Sequence, residues 1–88
     1  MHNFKELKVW QNARRIVKEI YLDTKDFPAD EKYGLISQMR RSAVSIPSNI
    51  AEGSGRNTDK DFKYFLNVAL GSAYELQTLL ILSQDMEL

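Results

Sequence analysis

The apolar residues of this 88-residue chain recur at helical spacing in three long segments. No stretch alternates between apolar and polar residues for more than a few positions, which argues against β-strands. Residues 27–30 and 53–57 interrupt the helical pattern with proline, glycine and short polar side chains. The sequence therefore predicts an all-α fold with helices over about residues 4–27, 30–53 and 58–87.

Capping signals support these boundaries. Asn3 and Glu6 resemble a capping box at the start of the first helix, and Thr58 with Asp61 does the same for the third. The first helix should end near Phe27, because the residue before a proline disfavours helical geometry. The predicted apolar stripe of helix 1 is Val9, Ala13, Ile16, Ile20, Thr24 and Phe27, and that of helix 2 is Leu35, Met39, Ala43, Ile46 and Ile50.

The third helix is apolar on more sides than two neighbouring helices can cover. Its predicted seam repeats every three or four residues, as Phe62, Leu66, Ala69, Ala73, Leu76 and Leu80. Further apolar residues lie outside that seam, among them Phe65, Val68, Leu70, Tyr74, Leu79, Ile81 and Leu82. Long helices with short connections pack antiparallel, so we expect an up-down four-helix bundle. We expect three of its helices in these 88 residues, with the fourth missing or truncated, and we expect a fourth helix and other subunits to cover the exposed surface.

The second helix contains Pro47 within its apolar pattern, which predicts a kink there. Polar residues three or four positions apart share one face of this helix: Ser37, Arg41, Ser45, Ser48 and Glu52, with Asn49 at the edge. Arg41 is suited to bind a phosphate or a carboxylate, which would make this a recognition strip. Alternatively, it is a packing strip, in which the hydroxyls and Asn49 bind backbone groups freed by Pro47 and Glu52 pairs with an arginine.

Two further arginines have alternative interpretations. Arg40 lies in an otherwise apolar row, so we expect it either to extend to the edge of the bundle or to pair with a carboxylate such as Glu75. We favour the ion pair. The segment that ends at Arg56, residues 53–56, either binds an anion at the start of the third helix or only forms the turn.

Charge is balanced overall, with 12 basic and 12 acidic residues, but it is unevenly distributed. The first helix carries an excess of positive charge, in Lys5, Lys8, Arg14, Arg15 and Lys18. This cluster is either an ordinary solvated face or a set of contacts to nucleic-acid phosphates.

Composition argues against catalysis. The chain has no cysteine and one histidine, so it lacks nucleophile–histidine pairs and metal-binding sets of the usual kinds, and we expect neither cofactor nor metal. The N-terminus does not resemble a signal peptide, and the longest purely apolar run is much shorter than a bilayer requires. We expect a cytoplasmic protein that is not an enzyme and does not bind membranes.

The chain resembles the four-helix-bundle proteins that are encoded in intervening sequences of bacterial 23S ribosomal RNA genes. The resemblance is carried by residues 7–13, Phe27 with Pro28, residues 31–35, residues 38–53, Gly55 with Arg56, Phe62, Phe65, residues 69–72, and Glu75 with Leu76. It implies an antiparallel four-helix bundle, a cyclic homo-oligomer (a pentamer by family precedent) and an unsettled biochemical role. Related accessory proteins of diversity-generating retroelements share the bundle and bind nucleic acid.

Two functions remain open at this point. The first is an oligomeric accessory module that binds RNA or a ribonucleoprotein through the basic residues of helix 1. The second is a non-catalytic scaffold that binds a protein partner through exposed faces of helices 2 and 3.

Overall fold

The computed structural model describes residues 2–31 and 34–88. Its α-helices are α1 (Lys8–Thr24), α2 (Leu35–Ser54) and α3 (Asp59–Asp85). Short 3₁₀ turns, Phe4–Glu6 and Ala29–Glu31, precede α1 and α2. The described residues contain no strand, so the fold is all-α.

The first two helices are shorter than the sequence indicates. Asn3 caps the 3₁₀ turn and not a long helix, because Leu7 adopts an extended conformation that separates the turn from α1. At the other end, α1 stops at Thr24, whose carbonyl accepts a bond from the backbone N–H of Phe27. The predicted start of the second helix, near residue 30, is a 3₁₀ turn. The expected continuation through residues 32 and 33 lies outside the described residues.

The third helix begins as predicted. The Oγ1 atom of Thr58 accepts a 3.1 Å hydrogen bond from the backbone N–H of Asp61, which satisfies one of the free donors of the first turn. Two aspartates in that turn, Asp59 and Asp61, also suit the positive end of the helix dipole. The 27 residues of α3 span about 40 Å, close to the 44 Å length of the whole molecule.

The central helix is α2, since both other helices pack against it and make no close backbone contact with each other within the described part of the chain. Met39, Ala43 and Ile50 of α2 are almost fully buried. They pack in one cluster with buried residues of both neighbours: Ala13 and Ile20 from α1, and Ala69, Leu76 and Leu79 from α3.

Consecutive helices meet in reversed order along their lengths. Ser45 contacts Ser72, and Gly53 near the end of α2 lies against Phe65 near the start of α3. In the same way, Arg40 contacts Tyr21 near the end of α1, while the backbone of Ser54 binds that of His2.

Gly53 allows the close approach of α2 and α3. A Cβ atom built on Gly53 would lie 2.6 Å from the Cβ atom of Phe65 and 3.0 Å from the ring of Phe62. The sequence predicts that the helix ends near Gly53, whereas α2 continues to Ser54 and Gly53 lies inside it. Its contact with α3 was therefore not predicted.

The predicted seam of α3 is partly wrong. Leu79 is buried, whereas Leu80 is 38% exposed. Because α3 packs only on α2, the residues that point toward α1 border an open groove. Val9 and Ile16 of α1 are exposed in the same way along the facing side.

By length and composition alone, α3 is long and apolar enough to cross a membrane, with a mean hydropathy of 1.3 over an 18-residue window. Helices that pack inside soluble proteins can have the same length and composition, so these two properties do not identify a membrane-spanning helix. In this chain only 17% of that window is buried, so most of it faces away from the core.

Candidate functional site

The basic residues of α1 divide into two groups. Arg14, Arg15 and Lys18 line one shallow groove together with Gln11, and its volume is about 410 Å³. All four side chains are exposed. The spacings of three and four residues place these cations on adjacent turns of a single helix, which explains their convergence.

Lys5 and Lys8 lie beside this groove and do not line it. Lys5 belongs to the 3₁₀ turn, and its carbonyl accepts a 2.9 Å hydrogen bond from Nε2 of Gln11. Lys8 is the first residue of α1 and shares the side of the helix that bears Arg15, two turns further on. Lys8, Arg14, Arg15 and Lys18 are thus exposed on neighbouring sides of α1, and Lys5 lies in the preceding 3₁₀ turn. We call the five predicted cations the basic face: Lys5, Lys8, Arg14, Arg15 and Lys18.

The two acidic residues of α1 lie at the edge of the basic face. Glu19 and Asp23 border the groove between α1 and α3, together with Ile16 and Ile20. Glu19 follows Arg15 by four residues and therefore adjoins the basic face. Among residues 2–31 and 34–88, no ion pair joins an acidic side chain to the cations of this face.

Next to the basic face, an arginine guanidinium group lies over each of two aromatic rings. The Arg14 guanidinium lies 5.7 Å from the ring centre of Trp10, and that of Arg40 lies 4.5 Å from the ring centre of Tyr21. Trp10 also contacts the edge of Phe4, with ring centres 5.1 Å apart. Cation–π attraction of this kind holds a guanidinium against a ring.

The predicted ion pair between Arg40 and Glu75 is wrong. Nε of Arg40 donates a 3.0 Å hydrogen bond to Oγ1 of Thr24, and Nη2 lies 3.4 Å from the carbonyl oxygen of Tyr21. The rotation of α2 points Arg40 toward α1, whereas Glu75 on α3 lies on the other side of α2. Oγ1 of Thr24 also donates to the carbonyl of Ile20, so this buried hydroxyl both donates and accepts.

A second polar surface lies between α2 and α3. It is a shallow cleft of about 380 Å³, lined by Gln38, Arg41, Ser42, Ser45, Ser72 and Glu75. The structure thus brings together Arg41 and Ser45 of the predicted strip with the predicted residue Glu75 of α3. Arg41 and Glu75 are exposed and have no ion-pair partner among residues 2–31 and 34–88.

The side chains near Pro47 bind backbone carbonyls. Oγ of Ser48 donates to the carbonyl of Val44, and Nδ2 of Asn49 donates to that of Ser45, both at 2.8 Å. Asn49 also reaches Oγ of Ser45, which is 2.8 Å from Oγ of Ser72. Pro47 lacks the N–H that would bind the carbonyl of Ala43, and these contacts go to the next two carbonyls instead. They hold Ser48 and Asn49 against their own helix.

Glu52 and Arg56 form an ion pair at 3.0 Å, and the Arg56 guanidinium lies 4.8 Å from the ring centre of Phe65. The backbone N–H groups of Gly55 and Arg56 donate to the carbonyls of Glu52 and Gly53. Gly53 and Ser54 belong to α2, and the N–H groups of Gly55 and Arg56 are used within the turn, so these two donors are not free to bind an anion.

Sequence reasoning missed several residues of these surfaces, including Gln38 and Ser42 of the polar cleft. Gln11 lies in the basic groove, Tyr21 supports Arg40, and Ser72 forms the α3 side of the polar cleft. The spacing of Gln11 four residues before Arg15 was a usable signal. No sequence signal fixed the rotation of α2 that pairs Arg40 with Tyr21.

The described residues contain no group of three histidine, cysteine or acidic side chains that would hold a metal ion. The geometry therefore presents a charged surface, a polar cleft and an apolar groove on a small all-α protein.

These features define the class of protein, a small all-helical domain with one helix packed between two others. A family model described as "23S rRNA-intervening sequence protein" matches residues 5–88, nearly the whole chain. The chain belongs to this family. A search of curated proteins found no match.

Proposed function

We propose that this protein is a non-catalytic, homo-oligomeric helical module that binds RNA or a ribonucleoprotein through the basic face of α1. The observation that carries the proposal is the convergence of Arg14, Arg15 and Lys18 in one exposed groove. Phosphate contacts supply most of the affinity of such surfaces, so a local cluster suffices even in a chain with zero net charge. The family name, which refers to ribosomal RNA, also favours RNA and a cytoplasmic location.

The groove between α1 and α3 supports the four-helix form of the fold. It consists of two adjoining depressions of about 440 and 350 Å³, which share Ile46 and Ala73. Its walls are mainly apolar: Val9, Ile16 and Ile20 from α1, Ile50 from α2, and Leu66, Leu70, Leu76 and Leu80 from α3. A fourth amphipathic helix in this groove completes an antiparallel up-down bundle, consistent with the reversed contacts along α1, α2 and α3.

The remaining exposed apolar residues of α3 support self-association. Tyr64 is 63% exposed, and Val68 and Leu82 are also exposed. By helical geometry these three residues point away from the open groove. A fourth helix in the groove leaves them uncovered, and we assign them to contacts between copies of the chain, in a pentamer by family resemblance.

Direct binding to a folded RNA tests the proposed function. Fluorescence anisotropy should show affinity that falls steeply with salt, because each phosphate contact releases counterions. The double variant Arg14→Glu and Arg15→Glu should lose at least about tenfold in affinity, since two contacts become repulsive. The control is Lys60→Glu with Lys63→Glu, which changes the net charge equally on exposed residues of α3 and should retain binding. Equal loss in both variants, or no binding at low salt, contradicts the proposal.

The second candidate function is a scaffold that binds a protein partner through α2 and α3. Two features favour it: the polar cleft, where Arg41 and Glu75 have no ion-pair partner within the described residues, and the exposed apolar residues of α3. A partner protein that remains bound after nuclease treatment, and that is lost in Arg41→Glu but not in Arg14→Glu, would support the scaffold over the RNA module.

A further inference from the structure

We propose that the basic face of α1 binds double-helical RNA, with Arg14, Arg15 and Lys18 on phosphates and Gln11 on a ribose 2′-hydroxyl. This inference rests on the proposed RNA-binding function and specifies the kind of RNA. It follows from what the basic face contains, from what covers its aromatic rings, and from the hydrogen bonding of Gln11.

The cations of the basic face are positioned by a rigid element of the fold, which suits them to bind phosphates. Its three converging cations come from one α-helix, whose spacing is fixed at about 1.5 Å per residue. Lys8 and Lys18 are ten residues apart, so the cations extend over roughly 15 Å along the helix axis. Charged side chains at fixed spacing match a regular helical backbone, which presents its phosphates at fixed positions, better than a flexible single strand.

Single-stranded RNA is bound mainly by stacking its bases on aromatic side chains. Trp10 and Tyr21 are the aromatic residues of α1, and each already has a guanidinium over its ring. The ring of Phe4 also packs against that of Trp10, with an angle of 66° between the ring planes. Stacking a base on those ring faces would displace Arg14 or Arg40. The basic face therefore offers charge and hydrogen bonding more readily than stacking.

Gln11 lies among the cations of the groove, and one hydrogen bond orients its exposed amide group. Its Nε2 atom donates to the carbonyl of Lys5, and within the described residues its Oε1 atom accepts no hydrogen bond. Because the sugar lies next to the phosphate in a nucleic acid, the free Oε1 atom of Gln11 is placed to accept a hydrogen bond from a sugar hydroxyl. The ribose 2′-hydroxyl is that donor, and DNA lacks it.

The test compares three oligonucleotides of one sequence by fluorescence anisotropy: an RNA duplex, one of its single strands and the corresponding DNA duplex. We expect the RNA duplex to bind tightest, and to exceed the DNA duplex by about three- to tenfold, the size of one net hydrogen bond. Gln11→Met should reduce RNA-duplex binding to the level of the DNA duplex and leave DNA binding unchanged. The control Asn12→Met alters an exposed neighbour that does not line the groove and should change neither affinity.

The outcomes separate this inference from the proposed function. Single-stranded RNA that binds as tightly as the duplex, or tighter, overturns the inference while the RNA-binding function stands. Equal affinity of the unaltered protein for RNA and DNA duplexes overturns the assignment of Gln11. Absence of binding to every RNA at low salt overturns the function itself.

Discussion

Single residues of α2 differ sharply in what surrounds them, although the helix looks uniform in sequence. Gly53 lies against Phe65 with no room for a side chain, and Arg40 contacts a ring and a buried hydroxyl. Arg41, its neighbour in sequence, is exposed and unpaired within the described residues. These differences lead to substitutions with matched controls.

Gly53→Ala should destabilise the fold by about 1–3 kcal/mol, because the new methyl group must displace the backbone-linked Cβ of Phe65. The control is Gly71→Ala, at an exposed position inside α3 with no heavy atom within 4 Å of the added Cβ. That change should stabilise the helix by about 0.5–1 kcal/mol. Urea denaturation measures both, and equal effects would show that α2 and α3 do not meet closely at Gly53.

Arg40→Lys should cost about 1–2 kcal/mol of unfolding free energy. A lysine loses both the planar contact with Tyr21 and the hydrogen bond from Nε to Thr24. Arg41→Lys is the matched control, and its effect should stay within about 0.5 kcal/mol because the side chain is exposed. If the two variants unfold at the same urea concentration, Arg40 does not link α1 to α2.

Sequence reasoning at this scale was reliable for local contacts. The cap at Thr58 and the pairing of Glu52 with an arginine follow from spacings of three and four residues. The partner of Arg40 did not follow, because it depends on how α2 is rotated between two other helices. The sequence did place Arg40 in an apolar row of α2, which indicated that its side chain is directed toward another helix but not toward which one.

At the scale of elements, the existence of three helices was predictable from apolar spacing alone. Their ends were less so: the extended residue Leu7 divides the first segment, and a 3₁₀ turn replaces the predicted start of the second. The buried side of α3 differs from the predicted seam. Because α3 has apolar residues on several sides, the sequence pattern does not determine which side is buried. Only contact with α2 selects Leu79 over Leu80.

Leu79→Ala should destabilise this chain by about 2–5 kcal/mol, because it removes a buried side chain and leaves a cavity against α2. Leu80→Ala, one position along, should cost less than half as much, since Leu80 borders the open groove. Thermal or urea unfolding distinguishes them. A larger loss for Leu80→Ala would mean that α3 is rotated toward α1 in solution.

The whole molecule presents different chemistry on different sides. The basic face of α1 is exposed, the groove between α1 and α3 is apolar, and α3 keeps further apolar residues on its outer surface. The sequence indicated this surplus of apolar surface on α3 but not its division into a groove and an outer face. That division requires knowing that α1 and α3 pack on α2 without meeting.

The combination of self-association and a free basic face is tested by multi-angle light scattering at micromolar concentration, before and after ribonuclease treatment. We expect a defined multiple of the 10.2 kDa chain, five copies by family resemblance, whose protein mass persists after ribonuclease. The variant with Arg14→Glu and Arg15→Glu should retain that mass, because we assign the contacts between copies to exposed residues of α3 and not to the basic face. A stable species of 10.2 kDa, or an assembly that disappears with the RNA, would contradict the account.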